Sequence, residues 1–230
     1  MQREAEQIGV PLDGAQAAAL MRLAAAVSAA PFNVTAIRDA GDVRRKHLLD
    51  SLSCLRVMRP ACGERLLDIG SGGGFPGLPL AILRPDTEVH LLEANRRKGT
   101  FLADAASALG LANVAVIPDR AETVAHLPRY REQFEWVVAR AVAPLRVLLE
   151  YGLPFCRAGG CLVAMKGPRV DEETAAAGRA LGVRGGRWGA RADLVLPGGD
   201  ERRSLVCAVR VHDAPRRYPR SPGVPSRRPL

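Results

Sequence analysis

The stretch that decides the fold is Arg65-Leu66-Leu67-Asp68-Ile69-Gly70-Ser71-Gly72-Gly73-Gly74-Phe75-Pro76-Gly77. Its apolar first part predicts a buried strand. The glycines that follow allow the positive φ angles of a tight turn that comes close to a ligand. Pro76 suits a first helical turn, where its missing N–H costs no hydrogen bond. The stretch therefore predicts a strand, a glycine-rich turn and a helix, an arrangement that binds nucleotide-like cofactors.

Around this stretch, short apolar runs alternate with helical segments. The predicted strands are Arg65–Ile69, Glu88–Glu93, Asn113–Ile117, Phe134–Arg140 and Cys161–Lys166. The predicted helices are Pro76–Leu83, Arg96–Leu109, Ala143–Leu153 and Asp171–Leu181. This alternation predicts an α/β fold of right-handed βαβ units, with a mainly parallel sheet and helices on both faces. Leu194–Leu196 and Ser204–Val211, joined by a turn, predict an antiparallel addition at the sheet edge.

The two ends of the chain differ from this middle part. Helical spacing in Leu12–Ala29 and Asp39–Met58 predicts an N-terminal helical cap over residues 1–63, ahead of an α/β domain over residues 64–212. Residues 213–230 hold five Arg, five Pro and one Asp. A segment with so few apolar side chains cannot build a core, so we expect a mobile tail there.

Composition narrows the class of protein. The charge sum of 33 − 24 = +9 favours a polyanionic partner. The five cysteines form no CxxC pair, so we expect reduced, buried thiols, a cytoplasmic protein and no metal site. No apolar run is long enough to span a membrane, and acidic residues stand where the basic region of a signal peptide would be.

Two cofactors compete for the glycine-rich turn. Gly72 to Gly77 fits the GxGxxG pattern of a dinucleotide site, and Glu93 follows at the spacing of a ribose-binding acid. The pattern Asp68-x-Gly70-x-Gly72 fits S-adenosylmethionine better, because the Asp68 carboxylate would meet an ammonium group there but would repel a pyrophosphate. A turn without a ligand is the third alternative.

Further candidates follow the later strands. Ala121 and Glu122 can present a backbone amide and a carboxylate to an adenine edge. Arg140 and Lys166 end the fourth and fifth strands, and the carboxyl ends of parallel strands form the ligand crevice. Two cations at one rim predict a clamp for a phosphate or a base.

With these residues the chain resembles the bacterial 16S ribosomal RNA (guanine-N7) methyltransferase G family, also called glucose-inhibited division protein B. The resemblance covers residues 32–211. Its motifs are Asn33-Val34-Thr35-Ala36-Ile37, Lys46-His47-Leu48-Leu49-Asp50-Ser51-Leu52, the glycine stretch through Leu78-Pro79, Lys98 with Phe101-Leu102, Arg120-Ala121-Glu122, Arg140-Ala141 and Lys166-Gly167. It implies a Rossmann-like, class I S-adenosylmethionine-dependent methyltransferase fold with a helical cap. It also implies methyl transfer to N7 of the guanine conventionally numbered 527, near the ribosomal decoding centre.

The resemblance places cofactor contacts on Gly70, Phe75, Glu93, Ala94, Asn95, Ala121, Glu122 and Arg140. Together with Asp68 and Gly72, these eight residues make up the predicted cofactor-binding set. Three segments depart from the family pattern or match nothing in it: Arg96-Arg97-Lys98-Gly99, Val183 to Ala192, and the tail.

Guanine N7 carries a lone pair and no proton, so this reaction needs alignment and no general base. His47, Asp50 and Ser51 share one helix face and are not a catalytic triad. They form either a packing cluster or part of the substrate side, and Asn33 likewise either pairs with a base or shapes its loop. We assign substrate positioning to Arg140, Lys166, Asn33 and His47.

The N7 edge of paired RNA lies in a groove too narrow for side chains, so the target base must be unstacked or flipped out. Phe75 or Trp188 could stack on it or serve in packing. Candidates for RNA backbone contacts are Arg44, Arg45, Lys46, Arg96, Arg97, Lys98, Arg184, Arg187 and Arg191.

The expected partner is 16S rRNA in the small ribosomal subunit or an assembly intermediate, with no DNA, no membrane and a monomeric chain. Two other functions stay open at this point: an RNA- or nucleotide-binding Rossmann module without catalysis, such as a ribosome assembly factor, and a dinucleotide-dependent oxidoreductase.

Overall fold

The computed structural model describes residues 1–37 and 39–230 and contains a seven-stranded sheet in the order β3-β2-β1-β4-β5-β7-β6. The strands are β1 (Arg65–Ile69), β2 (Glu88–Leu92), β3 (Val114–Ile117), β4 (Phe134–Arg140), β5 (Cys156–Lys166), β6 (Gly186–Val195) and β7 (Arg202–Arg210). The first five pair in parallel, whereas β7 is antiparallel to β5 and to β6. The predicted α/β fold, a mainly parallel sheet with an antiparallel end, is confirmed.

Helices cover both faces of this sheet, which is why its central strands are continuous apolar runs. Those after β1 are α5 (Gly77–Leu83), α6 (Arg96–Ala108), α7 (Ala121–Val124), α8 (Leu145–Gly152), α9 (Val170–Ala176), α10 (Gly178–Val183) and α11 (Val224–Arg227). One apolar cluster lies on the α5 and α6 side of the sheet and the other on the α8 and α10 side. The glycine-rich turn between β1 and α5 is thereby held at the carboxyl edge of the strands.

The antiparallel edge is larger than predicted. β6 begins at Gly186, eight residues before the predicted run Leu194–Leu196, and includes most of the stretch that matched nothing in the family. Most of its residues are exposed or half-buried, as on an edge strand. A half-exposed strand rich in Arg and Gly lacks the apolar alternation by which strands are recognised, so its start was missed.

The N-terminal residues form a group of helices, which we call the cap. It comprises α1 (Gln2–Gln7), α2 (Gly14–Ser28), α3 (Ala40–Asp42), a π-helical stretch (Val43–Leu49), α4 (Asp50–Ser53) and a short 3₁₀ turn (Cys54–Arg56). Asp13 and Gln16 form a reciprocal capping box that fixes the start of α2. Leu48 and Leu52 lie in the same apolar cluster as Val163 and Leu205 of the sheet. The cap therefore packs on the sheet through a shared core.

The prediction of a mobile tail differs from the structure, in which residues 213–230 lie along the α/β domain. Arg220 donates to the buried carboxylate of Glu150 from its backbone N (2.9 Å), Nε (2.9 Å) and Nη2 (2.8 Å). Arg184, wholly buried, forms an ion pair with the same carboxylate, and its Cζ lies 4.1 Å from the ring centroid of Tyr218. Burial alone would raise the pKa of Glu150, but the hydrogen bonds from Arg220 and the charge of Arg184 outweigh it and lower that pKa.

All five cysteines are free. Four of them are buried as expected, and Cys62 is exposed in the turn before β1. Across the described residues, the helices are too short or too polar to cross a membrane.

Candidate active site

The glycine-rich turn has the conformation that its sequence predicts. Gly70, Gly72 and Gly74 have φ angles of +68°, +57° and +92°, which side chains rarely tolerate. The Gly72 backbone N–H donates to Glu93 Oε2 at 2.9 Å, and the Asn95 N–H donates to Oε1 at 2.7 Å. The half-buried carboxylate at the end of β2 is therefore fixed beside the turn, as a group that binds ribose hydroxyls must be.

Asp68 lies beneath the turn instead of facing the cleft. Its Oδ2 accepts the backbone N–H of Gly77 at 2.9 Å, its Oδ1 is buried without a hydrogen-bond partner, and the side chain is wholly buried. Burial raises the pKa of Asp68 to about 7. We expected this carboxylate to meet the ammonium group of the cofactor, but the unpaired N–H at the start of α5 attracts it instead. Its contact in the structure is to the turn itself.

A cleft of about 520 Å³ opens in front of the glycine-rich turn. The cap supplies one wall, the ends of β1, β4 and β5 supply the floor, and β7 supplies one residue. Its principal residues are Val34, Thr35, Lys46, His47, Asp50, Gly70, Gly72, Phe75, Arg140, Lys166, Glu173 and Arg203. The structure thus brings together sequence-predicted residues that are up to 120 positions apart, His47 and Lys166 among them.

Arg140 is held by the cap. Its Nη1 donates to the Lys46 carbonyl (2.8 Å) and to Asp50 Oδ2 (3.2 Å), and its Nη2 donates to His47 Nδ1 (3.0 Å). The π-helical stretch presents Lys46 and His47, and Asp50 follows it at the start of α4; π-helical turns are frequent at functional sites. Asp50 also accepts from Arg203 Nε at 3.1 Å, so one buried carboxylate holds two guanidinium groups.

His47 is neutral and committed at both ring nitrogens. His47 Nδ1 lies 3.0 Å from Arg140 Nη2 and 3.1 Å from the Lys46 carbonyl oxygen. A guanidinium has no acceptor, so in the neutral ring Nδ1 accepts from Arg140, and Nε2–H donates to Thr35 Oγ1 at 2.6 Å. Burial and the neighbouring Arg140 charge lower the pKa of His47 to about 4. The ring stacks on Phe75 at 4.6 Å between centroids, and Phe75 is itself only 4% exposed. Its stacking partner in the structure is therefore His47.

Lys166 is fixed on the opposite side of the cleft. Its Nζ donates to the Ala143 carbonyl at 2.8 Å and to Glu173 Oε2 at 2.7 Å. Burial opposes ionisation of Glu173, but the hydrogen bonds from Lys166 and from the Leu145 backbone N–H outweigh it and lower the pKa of that carboxyl. An ammonium held in this way is oriented and partly neutralised, and it keeps one N–H for a ligand.

Other predicted residues lie outside the cleft wall. Glu122 is 6% exposed, and its carboxylate accepts the backbone N–H of Gly223 in the tail at 2.9 Å. In the structure this carboxylate contacts the tail, and not the adenine edge for which it was predicted. The backbone at Ala121 and Glu122 is then the remaining candidate for a contact with adenine. Ala94 and Asn95 are exposed beside Glu93, and Asn95 caps α6.

Asn33 is exposed, next to the cleft residues Val34 and Thr35. Trp188 packs against the α8 side of the sheet on β6, away from the cleft, which matches the packing alternative for this side chain.

The sequence reasoning missed Arg203 and Thr35. Thr35 lies within a quoted motif but had no predicted role. Arg203 could have been found, because the start of an antiparallel strand beside β5 lies at the carboxyl edge of β5, where the ligand crevice forms.

Among the candidates for RNA contacts, Arg184 is wrong, since it is wholly buried against Glu150. Arg45 and Lys46 pair with Asp42 and Glu201. Arg96, Arg97 and Arg187 are exposed. The cation Arg97 lies 5.2 Å from the ring centroid of Phe32, next to the cap loop that borders the cleft.

S-adenosylmethionine fits this site better than a dinucleotide does. Glu93 beside the turn suits the ribose of either ligand, but the Asp68 carboxylate directly beneath the turn disfavours a pyrophosphate there. A Cβ on Gly70 would lie 2.8 Å from Val142 Cγ2, so the turn has no room for a side chain there. The fold and the site together define a class I S-adenosylmethionine-dependent methyltransferase.

Comparison with known proteins gives the family. The model of the family described as "GidB: rRNA small subunit methyltransferase G" matches residues 16–188, and the chain belongs to this family. It is 47% identical over 198 residues to the ribosomal RNA small subunit methyltransferase G of Pelotomaculum thermopropionicum, covering 86% of this chain and 83% of the relative. The protein of that name from Chloroflexus aggregans is 49% identical over 199 residues, with 86% and 83% covered.

Solved structures agree on the fold. A variant of the 16S rRNA (adenine(1408)-N(1))-methyltransferase from Catenulisporales acidiphilia, solved with its cosubstrate S-adenosylmethionine, superposes with a TM-score of 0.53 at 17% identity, covering 70% of this chain and 89% of that one. The precorrin-6y C5,15-methyltransferase from Geobacter metallireducens gives 0.51 at 15% identity, covering 70% and 85%. The predicted family, enzyme class and cofactor are thereby confirmed.

Proposed function

We propose that this chain transfers a methyl group from S-adenosylmethionine to N7 of the guanine conventionally numbered 527 in 16S rRNA. Its substrate is the small ribosomal subunit or an assembly intermediate, and it acts as a monomer in the cytoplasm. The family supports the reaction class, and the net charge of +9 supports a nucleic-acid partner.

The observation that carries the proposal is the state of the titratable groups in the cleft. Both His47 nitrogens are engaged, Asp50 lies between two arginines, and Glu173 is paired with Lys166. A reaction that removes a proton from its nucleophile needs a free base in this cleft. Guanine N7 has a lone pair and no proton, so it can attack in a site whose bases are all occupied.

S-adenosylmethionine supplies an electrophilic methyl group when it is bound. Glu93 holds the glycine turn open and offers a carboxylate for ribose hydroxyls. Arg140, fixed by the cap, and Lys166, fixed by Glu173, are the groups that orient the guanine or its phosphate. These two cations would align the N7 lone pair of the guanine with the methyl group of the bound cofactor. The protein's contribution is alignment, which can account for several powers of ten in rate.

The test is transfer of labelled methyl from S-adenosylmethionine to small subunits that lack their own modification. Borohydride and aniline cleavage then locate 7-methylguanosine. One cut in the decoding-centre loop is the expected result. Label at another site would overturn the target, and measurable cofactor binding without label on any RNA would point to a binding module.

The contribution of Lys166 is tested separately. Lys166→Met removes the ammonium, so turnover should fall by about tenfold or more while the dissociation constant of the cofactor changes little, as for loss of a substrate-positioning contact. Arg146→Met is a matched control, because Arg146 is exposed and outside the cleft. Normal turnover of the Lys166 variant would remove this residue from the substrate site.

A further inference from the structure

The contacts between the tail and α7 bear on cofactor binding. α7 is a single helical turn that directly follows β3. β3 pairs with β2, and the Glu93 backbone N–H donates to the Ile117 carbonyl at 3.1 Å. Residues 118–122 therefore begin beside Glu93, at the carboxyl edge where the ligand crevice of an α/β sheet lies. α7 therefore starts at this edge of the sheet, close to Glu93 and outside the cleft that Arg140 and Lys166 line.

The tail holds α7 at both ends. Near its start, Glu122 Oε1 accepts the Gly223 backbone N–H at 2.9 Å. Just beyond its end, His126 Nε2 donates to the Pro219 carbonyl at 2.8 Å. We call residues 218–226, which include both contacts, the strap.

The strap is anchored to α8, whose apolar face lies in the core of the sheet. Arg220 makes three hydrogen bonds to Glu150, which is 1% exposed, and Ser226 Oγ lies 2.7 Å from Tyr151 Oη. Tyr218, 7% exposed, is covered by the buried Arg184 guanidinium. One side of the strap thus contacts a rigid helix, and the other side contacts α7.

A helix of one turn has little stability of its own, because too few hydrogen bonds offset the cost of ordering it. Such elements open at low free-energy cost unless neighbouring groups hold them. In α7 the buried side chains are Glu122 and Val124, and the former is the one that the strap contacts. Val124 and the adjacent Ala125 pack in the apolar cluster on the α8 side, so α7 is held by this packing and, at Glu122 and His126, by the strap.

We propose that the strap positions residues 118–122 for cofactor binding, with Arg220 as the main positioning residue. The proposal rests on the assignment of this crevice to S-adenosylmethionine. Arg220 acts through Glu150 and α7 and does not touch the cofactor. If loosening the strap leaves α7 in its binding-competent place for about one tenth of the time, the apparent dissociation constant rises about tenfold.

The test compares Arg220→Ala with Arg216→Ala. Both remove one positive charge from the tail, but Arg216 is exposed and makes no hydrogen bond or ion pair in the part of the chain that the structure describes. The dissociation constant of S-adenosylmethionine is measured by calorimetry, and kcat and KM for small subunits are measured at saturating cofactor. We expect Arg220→Ala to raise the dissociation constant about tenfold with kcat and the subunit KM nearly unchanged. Arg216→Ala should match the wild type.

Two further variants keep the test decisive. Arg220→Lys retains a donor for Glu150 and should recover part of the affinity. If Arg220→Ala does not fold, Ser226→Ala replaces it, because this change removes only the contact with Tyr151. Unchanged affinity in folded Arg220→Ala, even with a lower melting temperature, would overturn the proposal and reduce the strap to a stability element. If the wild type binds cofactor but methylates no RNA, the proposed function fails, whereas the affinities still decide the strap.

Discussion

Glu150 is the residue at which the packing of the tail can be tested most sharply. Its carboxylate is 1% exposed and lies between Arg184, wholly buried, and Arg220, about one quarter exposed. Glu150→Gln keeps the shape and one acceptor oxygen but leaves the Arg184 charge buried without a counter-charge. Breaking a buried ion pair by removing one partner costs about 3–5 kcal/mol.

That loss is large against a total stability of about 5–15 kcal/mol for a typical domain. For a chain of this length each kcal/mol corresponds to about 2–4 °C, so the melting temperature should fall by roughly 10 °C. Urea unfolding followed by circular dichroism measures the free energy, and limited proteolysis reports release of the tail. Glu172→Gln is the matched control, because Glu172 is exposed on α9 and has no ion pair among the described residues.

If Glu150→Gln unfolds at the same urea concentration as the control, the reasoning from the buried triad is refuted. A second variant separates the burial of charge from the loss of packing. Arg184→Met combined with Glu150→Gln removes both buried charges, and such replacements are often neutral. The double variant should therefore recover most of the stability that the single change loses.

Three further predictions concern the cleft and the glycine-rich turn beside it. The pKa of His47 is about 4 in the folded protein and about 6.5 in the unfolded chain, so its contribution to the free energy of unfolding is complete above pH 6.5 and is lost on acidification towards pH 4. In unfolding measurements across this range, His47→Gln should remove about 3 kcal/mol of the pH dependence. The pH dependence that comes from Asp68 has the opposite sign, because its folded pKa of about 7 exceeds the unfolded value of 3.8. Its contribution to the free energy of unfolding is therefore lost as pH rises, and Asp68→Asn should remove about 2–3 kcal/mol of the loss between pH 5 and pH 8. Glu93→Ala should weaken cofactor binding at least tenfold in calorimetry, since it removes both the ribose acceptor and the Gly72 contact, and unchanged affinity would contradict its assignment.

The sheet could be predicted because its information is local. The bounds of β1 and β4 are the predicted ones, and those of β2 and β3 differ from the prediction by one residue. These strands are buried apolar runs between turns, which a local pattern is enough to recognise. The glycine-rich turn and Glu93 were predictable for a related reason, since backbone geometry at Gly70 and Gly72 demands glycine.

The errors lie where partners are far apart in sequence. Arg220 contacts Glu150, which lies 70 positions earlier, and Gly223 contacts Glu122, which lies 101 positions earlier. The composition of the tail cannot predict contacts over such separations. The direction of the Asp68 side chain differs from the expected one for another reason, because its partner is only nine residues away. A free N–H at Gly77 competes with the expected ligand for that carboxylate, and neither motif nor spacing shows which of them it meets.

The cluster around Arg140 could be predicted only in part. The motif containing His47 and Asp50 placed both on one helix face, but it did not show that this face would meet the end of β4. The pairing of Asp50 with Arg203 depends on the antiparallel register of β7 against β5, which the sequence alone leaves open.

Arg140 belongs to the sheet, yet the groups that orient it belong to the cap. This division restricts how such an enzyme can evolve or be redesigned. A cap taken from another methyltransferase would have to bring a carbonyl, an imidazole and a carboxylate to the same three places, or the arginine would lose its orientation. Exchange of whole caps is therefore a poor route to a new substrate, and new specificity has to arise by single substitutions in a cap and sheet that are inherited together.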